Sequence, residues 1–399
     1  MPNAHAALSA APPDVPSSAR LEQAGLLAVL GVAATLQFSI AIAQSLLTIA
    51  IVCWAALVVI RHERVEVPRF FWPLAAYAAI TILSAAFSPQ ARVSLIDTKQ
   101  LVLFVIVPLT FRFATGERGS TLITVIVSVG AASAAFGIFQ YGILHYDHLA
   151  LRPRGTLGHY MTYSGLLMLV MGCALARILF GRHDRMWAVL VMPALAVAVA
   201  VTFTRSAWVG ACLGAALLLT LKDRRLVAVL PIVAAIFFAV AGTSLTSRFV
   251  SIFNLNDPTN RDRVAMLREG GRMVRAHPLL GVGPNMVEAL YAEYRSPDAV
   301  EPINPHLHNV PAQIAAERGL PALGVWLWFV SLVVIDLVRD FRTGGQPVLA
   351  AAGLAAMVSM LAAGLFEYNF GDSEFLMLLL LLITLPFAAA RPPVVDLHA

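Results

Sequence analysis

Apolar stretches alternate with short polar breaks along almost the whole chain. They run over residues 22–39, 41–60, 70–87, 98–114, 120–144, 164–180, 186–203, 206–221, 226–243, 320–338, 347–366 and 374–390. A membrane-spanning helix needs about 17–25 such residues, so the pattern predicts about twelve transmembrane helices. The least defined break lies within 22–60, where polar residues are almost missing. A single long polar interruption, 244–319, stands against this background. Its own apolar positions recur at helical spacing, which predicts a helical loop. The chain divides into a disordered Ala/Pro/Ser-rich start at 1–20, a bundle of about nine helices at 21–243, the helical loop at 244–319, three further helices at 320–391 and a tail at 392–399. The predicted class is an all-α polytopic membrane protein.

Composition agrees. The 399 residues are 59% hydrophobic and 13% charged, with a mean hydropathy of +0.78. Soluble domains hold about 45–50% apolar and about 25% charged residues. The net charge of +5 does not point to nucleic acid, because most basic residues fall in short loops between apolar runs. Membrane lipids are the expected surroundings. Cys53, Cys173 and Cys212 lie in apolar runs without ligand spacing, which argues against disulfides and cysteine metal sites.

Loop charge sets the orientation. With the N-terminus inside, 15 of the 28 Lys and Arg residues fall in inside loops, 5 near short outside loops and 8 in 244–319. Both termini are then cytoplasmic and 244–319 is periplasmic. The few outside arginines stand out: Arg152 and Arg154 in LRPRGTLGHYMTYSG, and Arg205 in FTRSAW at a tight junction between apolar runs. Each fits either snorkelling to lipid phosphates or an anion site at the outer leaflet. A guanidinium suits diphosphate through paired, charge-assisted hydrogen bonds.

Within the long loop, Asn260 is placed to cap a helix that Pro278 ends after about His277. At 100° per residue, Arg261, Arg268, Arg272 and Arg275 share one stripe, read as a solvated or headgroup face. Arg263 falls opposite, with Met266, Leu267, Met273 and Val274, where a cation needs a partner. HPLLGVGPN reads as a scaffold turn. In NPHLHNVPAQIAAERG, Asn309 is a cap, Pro311 fits the first turn and Gly319 ends the helix. His308, just before that helix, has its cationic form disfavoured by the helix dipole, so a neutral imidazole able to accept a proton is expected there. A structural histidine bonded to a loop carbonyl is the alternative. His306 is a weaker candidate, and a zinc site from the pair lacks a third ligand at the usual spacing. FEYNFGDSEF offers Glu367, Asp372 and Glu374, either as partners for the arginines or as a solvated loop.

Four of these pieces resemble segments of the O-antigen ligase and polymerase superfamily. TFTRSAWVGACLG looks like its Thr/Ser-Arg membrane motif. RVAMLREGGRMVRAHPLLGVGPN is similar to its arginine, tryptophan and Pro-Leu-Leu-Gly segment, with Arg263 at the arginine position and Leu267 in place of the tryptophan. HNVPAQIAAERGLPALG resembles its histidine motif, with His308 at the histidine, and RGTLGHYMTYSG its first outer-loop segment. The resemblance spans about 140–330. It implies a GT-C-like, inverting glycosyltransferase that takes a sugar chain from undecaprenyl diphosphate and gives it to lipid A–core oligosaccharide. His308 would activate the acceptor, and Arg205 and Arg263, with Arg152 and Arg154, would hold the diphosphate. His306, Asn309, Arg261, Glu367 and Asp372 would support them. No metal or other cofactor is implied.

The superfamily also holds O-antigen polymerases and protein O-oligosaccharyltransferases. Polymerases of this kind often carry a second long outer loop, and protein-directed members an added soluble C-terminal domain. Neither is expected here, which favours a ligase. A transporter of lipid-linked sugars is the alternative from another class; it predicts charges at mid-membrane or an internal repeat, and the apolar runs show neither.

Overall fold

The structure, a computed structural model, describes residues 16–182 and 184–392. Among these residues the chain is built from helices without a named strand. The helices are α1 (Pro16–Thr35), α2 (Ile40–Arg61), α3 (Phe71–Ala86), α4 (Ala91–Asp97), α5 (Ile106–Phe113), α6 (Arg118–Gly142), α7 (Tyr160–Phe180), α8 (Arg185–Val201), α9 (Arg205–Lys222), α10 (Val229–Val240), α11 (Thr243–Val250), α12 (Pro258–Ala276), α13 (Val287–Tyr294), α14 (Val310–Thr343), α15 (Pro347–Ala363) and α16 (Ser373–Ala389). A 3₁₀ stretch, Thr98–Val105, joins α4 to α5.

Each predicted apolar run coincides with a helix. Five stretches are long and apolar enough to cross a membrane by length and composition: α2, Ala91–Phe113, α6, α7 and α14. α3, α8, α15 and α16 are apolar but shorter, so the count of twelve spans goes beyond what helix length alone carries. Helix α1 starts at Pro16, which makes 16–20 helical rather than disordered. The rest of the expected disordered start, 1–15, and all but residue 392 of the expected tail lie outside the described residues.

Helix α16 is buried on every side from Phe375 to Pro386, as a helix apolar all round must be. Helix α15 is mostly small residues, AAAGLAAM, and this lets α7 and α9 approach it closely. A Cβ on Gly210 of α9 would lie 2.8 Å from the Ser359 carbonyl, and the Ser359 hydroxyl donates to the Gly210 carbonyl at 2.9 Å. That contact fixes α9, and with it Arg205 at the helix start.

The loops gather at two ends. At one, Arg112 bridges Glu22 at 2.7 Å and Glu63 at 2.8 Å, and Arg69 pairs with Asp336. Arg391 pairs with Glu66. These residues lie in, or on the helices that flank, the loops expected inside. The segment 244–319 and the loop after α15 meet at the other end.

Candidate active site

Helix α12 is capped by Asp257, not Asn260. The Asp257 carboxylate accepts from Thr259 N at 3.1 Å and Asn260 N at 3.3 Å, with Pro258 in the first turn. A proline there costs no hydrogen bond, and this outranks a cap two residues into the helix. The Asn260 amide instead donates to the carbonyls of Ser251 and Asn254.

The predicted apolar face of α12 is present in part: Met266 and Met273 are buried and Arg261 opposite is exposed, but Leu267 is 46% exposed because the buried face is turned towards Asp262, Ala265 and Glu269. The arginine stripe is less free than expected. Arg268 pairs with Asp298, and Arg272 donates to Ser296 Oγ at 2.9 Å and to the Tyr294 carbonyl. Two acids unmarked in the sequence finish this packing. Asp262 accepts from Val300 N, Glu301 N and the Asn304 amide, and Glu269 accepts from Ser296 N at 2.7 Å. Seven residues apart, they lie two turns along one face and pin the loop 296–304.

HPLLGVGPN is a scaffold turn. Val282 N and Gly283 N donate to the carbonyls of Ala316 and Glu317, at 2.9 and 2.8 Å, so these donors are unavailable to an anion. The turn lies against α14, where Gly319 has φ of 82°. A Cβ there would sit 2.2 Å from the Leu279 carbonyl. Only glycine fits that approach and that dihedral. Gly319 does not end the helix outright but kinks α14, and the chain resumes helix beyond it.

Asn309 joins the two halves of the site. Its Oδ1 accepts from Ala312 N at 2.9 Å as the predicted cap, while its Nδ2 donates to the Leu365 carbonyl at 3.0 Å. Val310 N donates to the Gly364 carbonyl at 2.7 Å. The start of α14 is thereby stitched to the loop after α15, and Glu367 comes to the histidines. His308 Nδ1 lies 3.1 Å from each Glu367 oxygen, and His306 Nε2 lies 3.1 Å from one of them. Tyr368 N donates to the same carboxylate at 3.0 Å. Glu367 therefore pairs with histidines, not with the arginines as expected, and is not a solvated loop residue. Burial opposes its ionisation, but His308 and His306 more than offset that and hold it well below the usual carboxylate range.

An ionised carboxylate only accepts hydrogen bonds, so the proton of each facing imidazole sits on the nitrogen that meets Glu367. That leaves the other nitrogen of His308, Nε2, unprotonated in the neutral ring. Among the described residues no hydrogen bond occupies it. His308 itself has φ of 47°, a left-handed conformation uncommon for a non-glycine residue. The two histidines and Glu367 line a cavity of about 430 Å³ with His159, Thr162 and Asp372. Asp372 caps α16, accepting from Phe375 N at 3.0 Å, and takes a hydrogen bond from the Thr162 hydroxyl. Burial, opposed by that hydroxyl, raises its pKa. His159 and Thr162 were not singled out from the sequence.

A third metal-type ligand does exist, although no chain spacing announces it. The nitrogens of His306 and His308 and a Glu367 oxygen lie within 4.8 Å of one another. Two imidazoles and a carboxylate are a donor set zinc accepts. The 3.1 Å nitrogen–oxygen separations are also those of hydrogen bonds.

The arginines come together from three segments. Arg263 has no carboxylate partner among the described residues, its Nε is buried without a hydrogen bond, and its guanidinium lies 6.0 Å from the Phe366 ring. Burial lowers its pKa; Glu367 opposes this and Arg205 adds to it. Arg205 is buried and satisfied, donating to the Ser251 carbonyl at 3.1 Å, Ser251 Oγ at 3.0 Å and Asp257 at 3.3 Å. Arg152 stacks 4.2 Å over Tyr160 and donates to the Leu149 carbonyl at 2.9 Å. Arg154 is exposed; its backbone N is held by Gln140, and no contact of its side chain joins it to this cluster.

Residues 189–327, about a third of the chain, match the family model described as O-antigen ligase. This is the superfamily whose motifs the sequence resembles. The match runs from α8 to the kinked α14 and includes Arg205, Arg263, His306 and His308. No curated protein matches the chain.

Proposed function

We propose that this protein is an O-antigen ligase. It would transfer a polysaccharide from undecaprenyl diphosphate to lipid A–core oligosaccharide at the periplasmic face of the bacterial inner membrane, with both termini in the cytoplasm. The observation that carries this reading is the juxtaposition of an oriented imidazole, His308 held by Glu367, with an arginine whose buried Nε lacks a partner, Arg263.

In the reaction, His308 Nε2 takes the proton of the acceptor hydroxyl as its oxygen attacks the anomeric carbon of the donor. The bond from that carbon to the diphosphate oxygen breaks, and the diphosphate leaves with the electron pair. Attack opposite the leaving group inverts the anomeric centre. Arg263, with Arg152 nearby, neutralises the charge that develops on the diphosphate, as fixed cations do in a water-poor site, and Arg205 positions this region through Ser251 and Asp257. The work of a metal on the leaving group would fall to these guanidiniums. Glu367 sets the imidazole tautomer, and Asn309 holds the loop that carries Glu367.

The site's place at one end of the helix bundle supports catalysis over transport, since a transporter would centre its charges at mid-membrane. Ligase and polymerase readings separate on a lipopolysaccharide gel from a strain lacking this protein. The ligase reading predicts bare core, with polymer stranded on its lipid carrier. Core bearing a single repeat unit would contradict it and favour a polymerase.

A further inference from the structure

Arg248 lies outside every motif the sequence singled out. It sits on α11, the short helix between α10 and the start of α12. Its Nε reaches the Phe203 carbonyl only at 3.5 Å, and no carboxylate lies within ion-pairing distance of it among the described residues. Arg205 nearby is the opposite case, with Ser251 and Asp257 taking its donors. The two arginines are tied through Ser251, whose hydroxyl donates to the Arg248 carbonyl at 2.7 Å.

Arg248 faces a second cavity of about 320 Å³, lined also by Ser244, Ser247, Ser251, His148 and two carboxylates, Asp147 and Asp257. Arg205, Arg152 and Arg263 repel it and Asp257 attracts it, while Asp147 also lines the cavity without pairing with it, so four guanidiniums, its own included, stand against two carboxylates. Burial first, then these arginines, push the Arg248 guanidinium down to about 10. A half-buried cation held among other cations is stable only if something else compensates it. The Ser244 hydroxyl makes no hydrogen bond within the described residues and is free to donate. A cavity with an unpaired guanidinium, a free hydroxyl and surplus positive charge is built for an anion.

We propose that Arg248, with the Ser244 hydroxyl, binds a phosphate group of the lipid-linked diphosphate donor, so that the donor's charged end lies in this second cavity. This rests on the ligase reading. Arg205 then acts as a positioning residue: it is already occupied, and through Ser251 it fixes the backbone that presents Arg248. The same chemistry would suit the headgroup of an anionic phospholipid, so the two sources must be separated.

The test uses the full-length protein in nanodiscs of zwitterionic phosphatidylcholine and measures binding of radiolabelled undecaprenyl diphosphate. Arg248→Gln should weaken binding about tenfold or more, the scale of a charge-assisted contact, and inorganic pyrophosphate should compete with the lipid on the wild type. Binding within about twofold of wild type would overturn the proposal. So would displacement of the labelled lipid by phosphatidylglycerol at the fractions found in membranes, which would make the cavity a headgroup site. Ser244→Asp is a second variant at an exposed position, where folding is not at issue; its added negative charge should also weaken binding, and unchanged affinity would count against the cavity. Wild-type protein that fails to bind undecaprenyl diphosphate at all would contradict the ligase reading itself.

Discussion

His308 and Glu367 face each other with His308 Nδ1 3.1 Å from both carboxylate oxygens, across 59 positions of sequence. The pairing fixes the tautomer and orientation of an imidazole at the mouth of α14, and it divides labour between the two side chains. Glu367→Gln keeps the shape of the side chain but offers the imidazole one acceptor oxygen and one competing donor. Transfer should fall by about 10- to 100-fold, part of the range a positioned base supplies, with donor binding unchanged. Rates and donor affinity measured together check this; an equal loss in both would make Glu367 a binding residue.

Glu367 also carries a pH prediction. Its folded pKa is depressed below the ordinary 4.5. A group depressed in this way contributes stability that is complete above its unfolded pKa and lost as pH falls through the folded one. The difference in melting temperature between wild type and Glu367→Gln should therefore not shrink from pH 7 to pH 5. It should shrink only as the pH falls below the unfolded value of about 4.5, and a difference that stays constant through that lower range would mean an undepressed carboxylate.

Arg263 and Arg268 lie on one helix but face different surroundings: Arg263 half-buried with a buried, unpartnered Nε, Arg268 exposed and paired with Asp298. Arg263→Lys replaces a planar fork with a point charge and should cost about tenfold or more in transfer. Arg268→Ala should stay within about twofold. The reverse order in a transfer assay would defeat the assignment of faces on α12.

Orientation can be tested by labelling in a Cys212→Ala background, because Cys212 is the exposed cysteine while Cys53 and Cys173 are buried. A membrane-impermeant thiol reagent added from the periplasm should modify a cysteine at the exposed Ala292 and spare one at the exposed Arg182. The opposite pattern would invert the topology.

The His306, His308 and Glu367 cluster is a hydrogen-bonded group in this account. Dialysis against a chelator should leave transfer unchanged. Loss on chelation, restored by zinc, would assign the cluster to a metal instead.

The helices were legible because burial in a bilayer demands long apolar runs, and Arg263 because two residues, about half a helical turn, separate it from Arg261 and take it off the arginine stripe. The Asn309 cap and the scaffold role of the Gly281 and Gly283 turn were legible from local backbone chemistry. Glu367 was not, since its partners lie in another loop and a carboxylate between aromatic and polar residues looks solvated. Asp262 and Glu269 were hidden for the same reason: their partners are backbone N–H groups of a distant loop. Arg248 was lost in what reads as a junction between an apolar run and the polar loop. What sequence periodicity reports is a face; it does not report which loop crosses that face.

The central claim, that His308 is the base, is tested most directly by His308→Ala beside His306→Ala, with expression and membrane insertion matched and transfer to lipid A–core measured. His308→Ala should still bind the lipid-linked donor, through arginines the substitution does not touch, while transfer falls by about 10²–10⁴-fold. His306→Ala should keep far more activity, because Glu367 still holds His308. Near-normal transfer by well-expressed His308→Ala would remove the base from the mechanism and leave the arginines as its remaining chemistry.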